Sequence, residues 1–147
     1  MIEPRSDSDR EQLVDTLIAL THMSNHHRTI VGGEDGVELL PALRRRGLVR
    51  ITLAAASRIG KGQYPVGLIA GASTPAAIET ALARISPYLG ASAAVAVVIA
   101  SRDAECCLTI RNKLERMGFR IEAGVRCQLG LVLSARRLGF NHMKEAA

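Results

Sequence analysis

The residues best suited to chemistry are Gly32, Gly33, Glu34, Asp35 and Gly36, between the apolar Ile30-Val31 and the helical pattern of Val37, Glu38, Leu39 and Leu40. An apolar strand that breaks into glycines and re-forms as a helix is how a chain carries its backbone past a nucleotide-like ligand. Glycine admits positive φ and has no Cβ to obstruct the approach. Glu34 stands mid-turn, where such loops usually carry another glycine, and adds bulk and negative charge. Asp35 and Glu38 could orient a ligand amine. The plainer reading is preferred: Asp35 caps the following helix and Glu38 complements its positive end.

Other candidates are weaker. His22 and His26 have the four-residue spacing of helical metal ligands, with His27 adjacent, but a helix end is expected between them and no carboxylate motif completes a set. No metal is expected. Cys106 and Cys107 point about 100° apart on a helix and read as small core residues. Cys127 reads as a plain thiol. Arg44, Arg45, Arg46 and Arg50, with Arg58 and Lys61, form the densest cationic region; phosphate or an acidic partner could meet it, and the preferred alternative is a solvated helix end. Arg136-Arg137 is too short to discriminate. The chain has no nucleophile elbow and no Gly-x-x-x-x-Gly-Lys loop.

The elements that must position these residues follow from periodicity and caps. Residues 1 to 7 read as a polar tail. Ser8-Asp9-Arg10-Glu11 has capping-box spacing ahead of a helix over about 9–22 that lies on the sheet. Arg28 to Gly32 reads as the first strand. The next helix starts within residues 35 to 38; Pro41 demands a late or kinked start. Arg44-Arg45-Arg46-Gly47 ends it. Val49–Ala56 is a second strand, Ser57 to Pro65 a loop, and Val66–Ala70 a third strand. Ser73 or Thr74 caps a helix with Pro75 in its first turn, running to about Tyr88. Ala93–Ala100 is a continuous apolar strand for the sheet centre. Asp103 to Met117 is a helix stopped by Gly118. Phe119–Arg126 and Leu129–Arg136 form a closing hairpin, and the tail after Arg137 reads as irregular.

Composition bounds the function. At 147 residues the chain is read as one domain over 1–147, with its sheet core at about 28–137. It is 48% apolar but only 3% aromatic, which suits an aliphatic α/β core and argues against base-stacking platforms. The net charge of +5 permits nucleic acid or an acidic partner as a weak signal. An odd set of three cysteines without metal-finger spacing suits a reduced, cytoplasmic protein. The opening Glu3, Arg5, Asp7 and Asp9 do not resemble a signal peptide, and no apolar run approaches the ~18 residues of a membrane span.

The order strand, glycine turn, helix, strand, then strand-helix-strand-helix and a closing hairpin resembles the class I S-adenosylmethionine-dependent methyltransferase family over roughly residues 28 to 137. Its best motif is Val31-Gly32-Gly33-Glu34-Asp35-Gly36 with Glu38-Leu39-Leu40-Pro41-Ala42-Leu43, similar to the spermidine-synthase-like branches. Tyr64-Pro65-Val66-Gly67-Leu68-Ile69-Ala70-Gly71 and Ile85-Ser86-Pro87-Tyr88-Leu89-Gly90 resemble the fourth family strand and the end of its helix. The resemblance implies an S-adenosylmethionine site at Gly32, Gly33, Glu34, Asp35 and Gly36, and a closing strand inserted antiparallel into a parallel sheet.

The chain also departs from the family. The family carboxylate that accepts both ribose hydroxyls at the end of the second strand is replaced by Leu53-Ala54-Ala55-Ala56-Ser57. The acidic position after the fourth family strand is Ala70-Gly71. The third strand and its helix are reduced to Ser57-Arg58-Ile59-Gly60-Lys61-Gly62-Gln63, leaving Val49–Ala56 at a sheet edge that needs the N-terminal helix or a second subunit as cover. Each buried, unsatisfied hydroxyl costs about 1–3 kcal/mol.

The expectation is a three-layer, Rossmann-like, mostly parallel α/β sheet with a C-terminal antiparallel hairpin. It is a truncated methyltransferase-like domain with weak or absent S-adenosylmethionine binding, no methyl transfer and no catalytic residue. It acts as a binding or assembly module with a homodimeric or other protein partner, without a membrane. One alternative is an active methyltransferase with a non-standard cofactor site; another is a basic nucleic-acid-associated module.

Overall fold

The computed structural model describes residues 7–54, 60–72, 74–100 and 103–138. The helices are α1 (Asp7–Thr21), α2 (Gly36–Arg45), α3 (Pro75–Ile85) and α4 (Ala104–Arg116). The strands are β1 (Thr29–Gly32), β2 (Ile51–Leu53), β3 (Tyr64–Ala72), β4 (Leu89–Ile99), β5 (Phe119–Cys127) and β6 (Gly130–Arg137). They form one sheet in the order β2-β1-β3-β4-β6-β5. Its first four strands are parallel, while β6 lies antiparallel between β4 and β5. The mostly parallel α/β sheet and inserted closing strand are as the resemblance implies.

Helices cover both faces, as a buried parallel sheet requires. Strand alternation sends Ile30, Ile69, Val95, Val97 and Ile99 toward Ile78, Leu82 and Ile85 of α3 and Ile110 and Leu114 of α4. The intervening Val31, Leu68, Ala96 and Val98 meet Leu13, Val14 and Leu17 of α1 and Leu39, Ala42 and Leu43 of α2. Cys106 and Cys107 are both buried in the first cluster and not disulfide-bonded, so both pack in the core.

Local chemistry explains most boundaries. Thr74 caps α3: its Oγ1 accepts the Ala77 N–H at 3.2 Å, with Pro75 following. Gly47 ends α2 at φ +82°, its N–H donating to the Arg44 carbonyl while Leu48 N–H donates to Leu43, a Schellman closure. Gly118 closes α4 at φ +91°.

Several expectations need correction. α1 is already helical at Asp7, so Ser8 lies inside it and no capping box forms there. Glu11 instead reaches Arg45 and Arg46. α2 starts at Gly36, within the expected residues 35 to 38, but Pro41 does not make that start late and sits inside the helix. Pro41 is exposed, as is Val37 one turn earlier, so the carbonyl left without an N–H donor lies on the solvent side. β2 is shorter than Val49–Ala56, with Val49 69% exposed. β4 starts at Leu89 because Tyr64 pairs there.

β2 is the sheet edge, as expected. The main partners of α1, however, are α2, β4, β5 and β6, so it is not packed as the edge's cover. The expectations for residues 1–6, Ala55, Ala56, Ser57, Arg58, Ile59, Ser73 and the tail beyond Leu138 lie outside the described residues.

Candidate functional site

The chain leaves β1 for β2 on one side of the sheet and then returns to place β3 on the other. Such a reversal opens a crevice at the carboxyl ends of the strands, the usual ligand position in open α/β sheets. All five glycine-turn candidates lie at this point. Gly32 ends β1, Gly33, Glu34 and Asp35 form the turn, and Gly36 begins α2.

Much of the demand for glycine comes from the chain's own packing. Gly33 has φ +91°, and a Cβ there would lie 1.9 Å from the Ala70 carbonyl oxygen. A Cβ on Gly36 would come within 2.7 Å of Val31 Cγ1, and one on Gly32 within 3.2 Å of Ile85 Cγ2. On the opposite side, Gly71 at φ +92° leaves room for Asp35, whose N atom would otherwise lie 2.3 Å from the added Cβ. β1's turn and the end of β3 are therefore locked together.

Several amides that such a turn could offer an anion are also engaged. Asp35 N–H donates to Ala70 O (3.2 Å), Gly36 N–H to Gly33 O (3.3 Å) and Glu38 N–H to Asp35 O (3.1 Å). Asp35 occupies the N-cap position but makes no side-chain cap hydrogen bond, contrary to its preferred reading. Its backbone is near-helical (φ −93°, ψ 8°) rather than extended, which denies the side chain the usual capping geometry. Glu38 is in the first turn as expected, and its carboxylate lies 3.8 Å from Arg10.

A cleft of about 660 Å³ opens on the α3 side of the turn. Gly32, Gly33, Glu34, Leu53 and Ala54 contribute from the strand ends, and α3 with its cap Thr74 contributes Ala77, Thr80, Ala81 and Arg84. The α3 stripe flanks the buried Ile78-Leu82-Ile85 stripe and spans roughly 15 Å at the helical rise. Glu34 is the one carboxylate among the described lining residues, and Arg84 the one cation. Thr80 Oγ1 already donates to Ala76 O (2.9 Å). The α3 wall escaped the sequence reading; its signal was the i, i+4 pair Ala77 and Ala81 beside the aliphatic face.

On the α1 side of the turn, a much smaller cavity of about 30 Å³ is bordered by Arg10, Asp35 and Glu38.

Among the described residues, the other candidates do not line the cleft. His22 leaves α1 in a left-handed conformation (φ 57°), and His27 Nδ1 accepts the Ser24 N–H at 3.0 Å. The described residues contain no group of three or more His, Cys, Asp or Glu positioned to hold a metal ion. Cys127 Sγ donates to Thr16 Oγ1 at 3.5 Å. Arg45 and Arg46 are tied to α1: Arg46 Nε lies 2.7 Å from Asp15, and both guanidinia lie 3.1 Å from Glu11. These contacts hold the Glu11 carboxyl below its ordinary range and raise Arg46 further. Arg137 donates to Leu89 O and Ser86 Oγ and lies over the Phe119 ring, while burial lowers its pKa.

This topology defines a class I S-adenosylmethionine-dependent methyltransferase-like fold. A 1,6-didemethyltoxoflavin-N1-methyltransferase from Burkholderia thailandensis, solved with 1,6-didemethyltoxoflavin and S-adenosylhomocysteine, superposes with a TM-score of 0.61 at 18% identity. The match covers 90% of this chain and 80% of that one. Magnesium protoporphyrin IX methyltransferase from Synechocystis with bound S-adenosylmethionine matches at TM-score 0.60 and 12% identity, covering 92% and 86%. A methyltransferase from Aquifex aeolicus matches at 0.59 and 10%, covering 88% and 90%. At these identities the likeness defines the fold. No family model and no curated protein matches the sequence. No helix among the described residues is long and apolar enough to cross a membrane.

Proposed function

We propose that the chain is a methyltransferase-fold binding or assembly module that does not perform methyl transfer. The observation carrying this reading is the missing anion at the end of β2. Leu53 and Ala54 form that part of the cleft, and no aspartate or glutamate occurs between Glu38 and Glu79. Ribose hydroxyls placed there would find no side-chain carboxylate on β2, at about 1–3 kcal/mol for each one left buried and unpaired. The residues present therefore do not fit S-adenosylmethionine in the family manner.

Calorimetry with S-adenosylmethionine and S-adenosylhomocysteine tests the proposal. The expected result is no heat of binding at micromolar cofactor, and micromolar binding of either would overturn it. One observation favours a second reading, an active methyltransferase with a non-standard site: Glu34 lines the same cleft and could accept hydroxyls from the opposite side. That reading predicts micromolar binding which Glu34→Gln weakens by about tenfold or more.

A further inference from the structure

Cations gather at one corner of the molecule, with Arg44, Arg50 and Lys61 coming from the stretch free of carboxylates. Arg44 belongs to the end of α2, Arg28 and Arg50 immediately precede β1 and β2, Lys61 precedes β3, and Arg84 belongs to the last turn of α3. Backbone and side-chain bonds join these segments. Thr29 N–H donates to Arg50 O (2.8 Å) and Gly62 N–H to Pro87 O (3.0 Å), while the tight turn closed by Gly47 N–H on Arg44 O (3.0 Å) leads from α2 to Arg50. Arg28 Nη1 donates to Gln63 Oε1 at 2.8 Å. Arg44, Arg50, Lys61 and Arg84 make no ion pair among the described residues. Val49, 69% exposed, sits among them.

At the same corner, among the described residues, no strand pairs with the outer side of β2. Arg50 O and Ala54 N–H bond to β1. By the alternation of a parallel ladder, the main-chain groups of Ile51 and Leu53 face away from it. Those groups are a template for another strand.

We infer that this corner docks an acidic, extended protein segment, which adds to β2 as a strand and places carboxylates among Arg28, Arg44, Arg50 and Lys61. This rests on the reading of the chain as a binding module and names the partner's chemistry. A second copy pairing through its own β2 would bring no carboxylate from that strand to these cations, since none occurs between Glu38 and Glu79. A nucleic acid would use neither the strand edge nor Val49, and an aromatic content of 3% leaves little for base stacking.

The test titrates the full chain into a fluorescein-labelled peptide of alternating glutamate and valine, read by anisotropy. Saturable binding is expected, absent for a lysine–valine peptide. It should weaken about tenfold or more in Arg44→Glu/Arg50→Glu and by a similar factor when alternate peptide amides are N-methylated. Ile51→Pro should act likewise, because it deletes an N–H that faces away from β1; circular dichroism checks its fold. No binding, unchanged binding by the charge-reversed chain, or equal binding of the N-methylated peptide would overturn the inference. Oligothymidylate outcompeting the peptide would replace it with a nucleic-acid surface. A sedimenting dimer abolished by Ile51→Pro would replace it with self-association. None of these substitutions touches the cleft lining, so the cofactor titration is judged separately.

Discussion

A methyl group at position 33 would meet the Ala70 carbonyl at 1.9 Å on a backbone already at φ +91°. Neither problem can be relieved by turning a flexible side chain. Gly33→Ala is therefore expected to lose roughly 3 kcal/mol or more in urea denaturation. Gly47 supplies the control. Its φ is +82°, but an added Cβ meets nothing within 4 Å, so Gly47→Ala should cost only about 1 kcal/mol. Equal losses would show that backbone conformation, not the contact with β3, makes Gly33 necessary. The glycine turn was legible in the sequence because positive φ leaves a compositional trace. Ala70 as the atom behind it was not, since it lies far along the chain.

At the scale of elements, the three arginines ending α2 show how one motif divides in three dimensions. Arg45 and Arg46 bind Glu11 and Asp15 of α1, whereas Arg44 belongs to the open corner. Arg46 also donates to the main-chain carbonyls of Ala42 and Glu11 (3.1 and 3.2 Å). Arg46→Ala should accordingly loosen α1 and lower stability by roughly 1 kcal/mol in thermal denaturation.

The same pairing has a pH signature. The folded-state pKa of Glu11 lies below its ordinary value of 4.5, so its contribution is complete above that value and is lost as pH falls through and below it. Comparison with Glu11→Gln should show the wild-type advantage at neutral pH shrinking across this acid range and with added salt. A constant difference between the two melting curves would contradict the assignment. Sequence spacing suggested that Glu11 belonged to a local capping box; a partner more than thirty residues away claimed it instead.

For the whole molecule, a single sheet carries two apolar clusters, and β4 passes through both. A strand buried on both faces couples the two helical layers, so far-ultraviolet dichroism and tyrosine fluorescence should report one coincident urea transition. Separate transitions would divide the chain into independent units.

The alternation of helices and strands, the Thr74-Pro75 start and the glycine stops at Gly47 and Gly118 were all readable from the sequence. They express hydrophobic period and backbone dihedral limits, which act over a few residues. Tertiary structure alone decided that α3 would wall the cleft, that Glu11 would hold Arg45 and Arg46, and that α1 would cover β4, β5 and β6. These outcomes depend on which faces meet after the strands take their order, and local periodicity carries no information about that distance-dependent choice.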